Sequence, residues 1–219
     1  MKRILALDGG GVRGMFSLQV LARIEALLRE RSGRPDLRLG EAFDLVAGTS
    51  TGAIIAAFLA WGKSVAEIEA LYFESGPLMF RRQPWYRRWK SKYRSDAIAR
   101  MFQEHFREPG PQGAPALLGS SSLRTKLLVI MRNATTGSAW PVTNHPDALY
   151  NDRRRTDCNL NIPLWQLLRA STAAPAFFPP ERIDYGAREF LFVDGGITPF
   201  NNPALIAVLT ATLPQYRLG

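Results

Sequence analysis

Apolar positions along the chain come in short runs that alternate with helical stripes. Arg3 to Leu7 has the length and character of a buried strand, the glycine run Gly9 to Gly11 follows, and apolar residues then recur at helical spacing from Met15 to about Arg31. After a turn-rich stretch, RSGRPDLRLG, a second apolar strand covers Phe43 to Ala47, and a turn at Ser50 leads into a helix of small and apolar residues. Ser64 with Glu67 three residues later forms a capping box for a helix to Glu74, which Gly76 and Pro77 are expected to end. Ser95 and Asp96 can cap a helix to about Phe106. The composition of the next stretch, REPGPQGAPALLGSSS, reads as a flexible connector. Further on, Lys126 to Arg132 reads as a strand, Ile162 to Ala170 as a helix with Pro163 in its first turn, and Glu189 to Val193 as a strand running into Asp194.

Strands alternating with helices predict an α/β layered fold with a largely parallel sheet, whose functional loops lie at the carboxyl ends of the strands. There is no internal repeat and no sign of a second core, so residues 1–219 are expected to form a single domain. With 46% hydrophobic residues the chain can bury a real core. The longest uncharged apolar stretch, Ala53 to Trp61, falls well short of the roughly 20 residues a membrane span needs. The start, MKRILALDGG, reaches Asp8 too soon for a secretory signal, so a cytoplasmic protein is expected. Cys158 is the single cysteine, which rules out an internal disulfide.

The formal charge of +9 implies attraction to a polyanion, and anionic lipid headgroups and nucleic acid both qualify. Much of it is concentrated in FRRQPWYRRWKSKYR, Phe80 to Arg94, where Arg and Lys interleave with Trp and Tyr. That mixture suits a lipid surface, with aromatic rings in the interfacial layer and cations on headgroups. A solvated loop and a single-strand nucleic-acid patch share the same composition.

Three loops carry candidate chemistry. Asp8-Gly9-Gly10-Gly11-Val12-Arg13-Gly14 follows a strand and opens a helix, so its glycine backbone can aim N–H groups at negative charge. Gly9, Gly11 and Gly14 also fit a dinucleotide fingerprint, but the acid that should close the second strand is replaced by Ala47-Gly48-Thr49-Ser50. A phosphate-binding loop ending in Gly62-Lys63-Ser64 fails because Ala57 stands where its leading glycine belongs. Gly48-Thr49-Ser50-Thr51-Gly52 fits a strand–turn–helix elbow that lifts a nucleophilic serine out of a sheet, while the plainer reading is a serine capping a helix. A nucleophile needs a base. His105 on a helix and His145 in a turn are available, as is Asp194, which ends an apolar strand before Gly195 and Gly196. Taken alone, Asp194 would be an ordinary turn residue.

The three loops in this order resemble the patatin-like phospholipase family, as does Ala170-Ser171-Thr172-Ala173-Ala174-Pro175-Ala176-Phe177-Phe178 ahead of the aspartate. The resemblance runs from Met1 to about Ala204 and implies a three-layer α/β fold with helices flanking the sheet. It further implies a lipid acyl hydrolase of phospholipase A type, working without metal or organic cofactor through a Ser-Asp dyad. By the same resemblance, Ser50 is the nucleophile, Asp194 the base, and the loop Gly9, Gly10, Gly11 with Arg13 beside it the oxyanion hole. Gly48 and Gly52 would form the elbow, and Gly195 and Gly196 the aspartate loop. Arg13 would hold a phosphate headgroup or fix the loop. A lipid substrate and peripheral membrane contact through Phe80 to Arg94 are expected, and nucleic acid is not. Family members commonly continue beyond the point corresponding to Gly219, so the chain is expected to be a truncated or minimal domain. The alternative from another class is a catalytically idle lipid-binding or scaffold module on the same fold.

Overall fold

The computed structural model describes residues 2–79 and 96–216. The segment Phe80 to Arg94, expected at a lipid surface, lies outside the described residues. In chain order the elements are β1 (Ile4–Leu7), α1 (Gly14–Ser32), β2 (Leu45–Thr49), α2 (Thr51–Ala60), α3 (Val65–Met79) and α4 (Asp96–His105). They continue as β3 (Lys126–Asn133), β4 (Ala139–Thr143), α5 (Leu164–Ser171), β5 (Glu181–Tyr185), β6 (Arg188–Asp194) and α6 (Ala204–Thr212).

Among the described residues one six-stranded mixed sheet organises the chain. β1, β2 and β3 are parallel neighbours, β4 and β6 run antiparallel to β3, and β5 runs antiparallel to β6 and so shares the direction of β1 to β3. The period of two along each strand sorts side chains into two cores. Val46, Leu127, Val129 and Met131 face a large cluster with Leu18 and Leu21 of α1, Ile54, Ile55 and Phe58 of α2, and Leu167 and Leu168 of α5. Leu45, Ala47, Leu128 and Ile130 face the other way, onto Ile206 and Ala207 of α6. The result is helix, sheet, helix, the three layers expected.

α2 is buried from Gly52 to Ala60, which is why its sequence is apolar all round rather than striped. The capping box forms as the spacing predicts: the Ser64 N–H donates to Glu67 at 2.8 Å and the Glu67 N–H donates back to the Ser64 hydroxyl at 3.2 Å.

Several local expectations are corrected. The supposed flexible connector is anchored: Ala116 and Leu118 are fully buried, and their N–H groups donate to the carbonyls of Phe106 and Ile162. Two apolar side chains inside a Gly/Pro-rich stretch are enough to tie it to the core. α3 runs through Gly76 and Pro77 to Met79, since a proline this close to a helix end removes only one helical N–H bond. β4 and β5 went unrecognised. β4 is an edge strand that carries Pro141, and β5 buries only Ile183, so neither has a strong apolar alternation.

Candidate active site

The sheet topology sets the site. β2 pairs with β3 from Lys126 to Ile130, and β6 pairs with β3 from Met131 to Asn133. β4 overlaps both spans, so it must occupy the other edge of β3. β2 and β6 therefore lie end to end along a single edge, carboxyl end facing carboxyl end. Thr49 pairs with Ile130 and Asp194 with Met131, adjacent positions on β3. This brings together two residues 144 positions apart: the Ser50 hydroxyl donates to Asp194 Oδ2 at 2.7 Å.

Ser50 holds φ 53 and ψ −124. A side-chain-bearing residue is strained at positive φ, and surrounding contacts must hold it there. Its N–H donates to the Ser171 hydroxyl at 3.0 Å, and Ser171 in turn donates to the Ile130 carbonyl at 2.7 Å. The flanking glycines are steric requirements. A Cβ on Gly48 would lie 2.3 Å from the Gly52 carbonyl oxygen, and one on Gly52 would lie 2.3 Å from that of Leu7. Gly195 fills the seam between the two strand ends, where a Cβ would meet the Ile130 carbonyl oxygen at 2.3 Å.

Asp194 is buried, and its second oxygen accepts the Gly196 N–H at 2.7 Å. Burial pushes its carboxyl above the ordinary range, while the bonds from Gly196 and Ser50 pull the other way without cancelling that rise. The outcome is a carboxylate more basic than a solvated one, aimed at a hydroxyl. His105 packs edge-on against Phe58, and His145 is buried with Nδ1 accepting the Asp147 N–H. Neither histidine lines the cavity at Ser50.

The glycine loop lies beside Ser50, and its amides are unequally engaged. The Gly9 N–H donates to the Asn201 carbonyl at 3.2 Å, and the Gly10 N–H donates to the Thr51 hydroxyl at 3.2 Å. Gly11, at φ 57, finds no acceptor for its N–H among the described residues. The first N–H groups of α2 also point out of a helix start, where no intrahelical acceptor exists. Arg13 folds back on the loop, with Nε 3.5 Å from the Gly10 carbonyl and its N–H on the same oxygen at 3.2 Å.

Asn201 and Ser171 went unassigned at the sequence level. The Asn201 side chain donates to the Gly9 carbonyl at 3.2 Å, so this residue grips Gly9 from both backbone groups. Its one linear signal is its place seven residues after Asp194, on the exit from the aspartate loop.

Ser50 and Asp194 form the polar floor of a cavity of about 500 Å³ walled by Ile54, Ile98, Phe177 and Phe178. Among the described residues, Arg13 and Asp194 are the ionisable side chains that line it. Such a site can activate a hydroxyl, hold an apolar chain, and offer main-chain N–H groups to a developing negative charge.

The family model described as patatin-like phospholipase matches residues 5–208. A cGAMP-activated phospholipase of Vibrio cholerae serotype O1 is 32% identical over 94% of this chain and 56% of its own length. Patatin-17 of Solanum cardiophyllum is 27% identical over 97% of this chain and 53% of its own. The chain thus spans about half the length of these curated relatives. The crystal structure of VipD from Legionella pneumophila superimposes with a TM-score of 0.54 at 16% identity, covering 90% of this chain and 46% of that one, which is a likeness of fold.

Proposed function

The chain belongs to the patatin-like phospholipase family, and from that premise we propose that it is a serine lipid acyl hydrolase that cleaves fatty-acyl esters of phospholipids. The observation that carries this reading is the 2.7 Å hydrogen bond from the strained Ser50 to the buried Asp194. Asp194 Oδ2 takes the Ser50 proton as Oγ attacks the ester carbonyl carbon, and the carbonyl oxygen becomes an oxyanion. The free N–H of Gly11 and the amides that open α2 receive that charge, a contribution worth about 100- to 1000-fold in rate per donor. Asp194 then passes its proton to the departing alcohol, leaving an acyl ester on Ser50. In the second half Asp194 deprotonates a water that attacks this ester, the Ser50 oxygen leaves with the proton, and the fatty acid is released. Burial serves the base twice: it raises the carboxylate's affinity for the proton and keeps bulk water from competing with the ester.

Gly9 and Gly10 shape the loop, and Arg13 braces it while presenting a cation to a headgroup phosphate. Contact of the segment Phe80 to Arg94 with membrane lipid, and a peripheral place at the membrane, belong to the same proposal. Because the Vibrio cholerae relative is named for activation by cGAMP, assays of this chain should be run with and without a cyclic dinucleotide.

The test is mass spectrometry of products from a mixed phospholipid extract, with Ser50→Ala as control and a fluorophosphonate probe for labelling. Free fatty acid and lysophospholipid from wild type alone, with the label on Ser50, are expected. Equal product from the folded Ser50→Ala protein would remove the serine mechanism.

A further inference from the structure

The cavity at Ser50 opens through a collar of apolar side chains that a solvated mouth would not need. Val12, Phe177 and Ile197 line the cavity and are also 67%, 46% and 47% exposed. Phe16, one helical turn beyond Val12, is 77% exposed, and Val20 extends the same stripe at 61%. Large apolar groups at such exposure, gathered around one opening, mark an interaction surface rather than scattered surface noise.

Cations stand at the same rim. Arg13 lines the mouth, and Arg132 reaches the backbone of Ile197, its Nη1 donating to that carbonyl at 3.3 Å. Inside the cavity Asp194 is the acid, buried beneath the serine. An apolar collar flanked by guanidinium groups, continuous with an apolar cavity, matches the layering of an anionic bilayer: acyl chains within, negative headgroups outside.

We propose that this collar is the face that the protein lays on an anionic phospholipid surface, with Phe16 and its neighbours entering the acyl boundary and Arg13 and Arg132 on the headgroups. This rests on the hydrolase reading, because it gives the scissile lipid a path from bilayer to Ser50 without crossing water. It concerns residues other than the basic segment from Phe80 to Arg94.

The test uses the full chain carrying Ser50→Ala, so that bound lipid is not consumed, in flotation with phosphatidylcholine vesicles with and without phosphatidylglycerol. Phe16→Glu is the perturbation: the residue lies outside the cavity, and an acid in the first turn of a helix is tolerated. Val208→Glu on the exposed side of α6, which covers the opposite face of the sheet, is the control. Binding should require phosphatidylglycerol and weaken with salt; Phe16→Glu should lower it by about ten- to a hundredfold and Val208→Glu should leave it unchanged. In a Ser50 background, Phe16→Glu should hydrolyse a soluble short-chain ester at the wild-type rate. Absence of vesicle binding, unchanged binding by Phe16→Glu, equal loss in both variants, or self-association that Phe16→Glu abolishes without any vesicle binding would each overturn the proposal. Failure of wild type to cleave the soluble ester would instead strike the hydrolase reading, and the flotation result, which needs no turnover, would still decide the collar.

Discussion

Replacing Gly48 with alanine separates damage to the site from damage to the fold. Gly48 lies within the buried strand β2, in register with Leu7 and Val129. An added Cβ would lie 2.3 Å from the Gly52 oxygen, 2.4 Å from the Gly52 carbonyl carbon and 2.5 Å from the Ala53 nitrogen, all main-chain atoms that no rotamer change can move. Restoring an ordinary carbon–oxygen approach of about 3.3 Å requires β2 and the first turn of α2 to part by about 1 Å. α2 is enclosed from Gly52 to Ala60, so that shift strains a close-packed core at a cost of about 1–3 kcal/mol. Ser50 lies between the two elements, and its 2.7 Å bond to Asp194 must absorb the displacement. Misplacing a reacting group by about 1 Å lowers rates by about 100-fold. The assay pairs thermal melting with hydrolysis of a soluble aryl ester. Gly33→Ala is the comparison: Gly33 caps α1 at φ 64 with open space around it, so alanine there adds backbone strain of about 1–2 kcal/mol far from Ser50. Both variants should melt several degrees lower, and only Gly48→Ala should lose activity. Wild-type turnover by Gly48→Ala would refute the claim that these glycines set the position of Ser50.

Asp194→Asn should lower ester hydrolysis by about 100- to 10,000-fold without lowering the melting temperature at neutral pH. The folded state holds the Asp194 proton more tightly than the unfolded chain does, so this carboxyl takes stability away as pH rises through the window above about 3.9, and asparagine removes that loss. Melts of the two proteins at about pH 4 and about pH 7 check the sign, and a variant gain confined to the acid end would contradict it. Asn201→Ala removes the side-chain grip on Gly9; one lost hydrogen bond costs about 0.5–1.5 kcal/mol, so kcat should fall while circular dichroism is unchanged. At Glu67, burial pushes the carboxyl up, but bonds from Ser64 and Lys63 outweigh it and hold it at about 2. Its contribution is therefore complete above about pH 4.3 and lost as pH falls toward 2, and acid titration of stability should flatten in Glu67→Gln.

The linear pattern already contained what local sterics demand. A serine flanked by glycines at a strand–helix seam is readable because the clash that excludes a Cβ at Gly48 comes from residues four and five positions away. The Ser64–Glu67 box and the wholly apolar α2 are readable for the same reason: capping and burial leave marks within one or two turns of helix. β4, with a proline on an edge, and β5, with one buried side chain, left marks too faint to read, and the buried pair Ala116 and Leu118 was masked by the glycines and prolines around it.

By itself, then, the sequence determined the elements that flank the site and the glycine-flanked serine at the strand–helix seam, because each rests on short-range backbone constraints. Tertiary structure decided which of those residues meet. β3 receives β2 and β6 end to end on one edge, and that pairing puts Ser50 against Asp194 rather than a histidine. It also recruits Ser171 and Asn201 to hold Ser50 and Gly9. Strand pairing between distant segments follows from the packing of the whole sheet, and no stretch of a few residues encodes it.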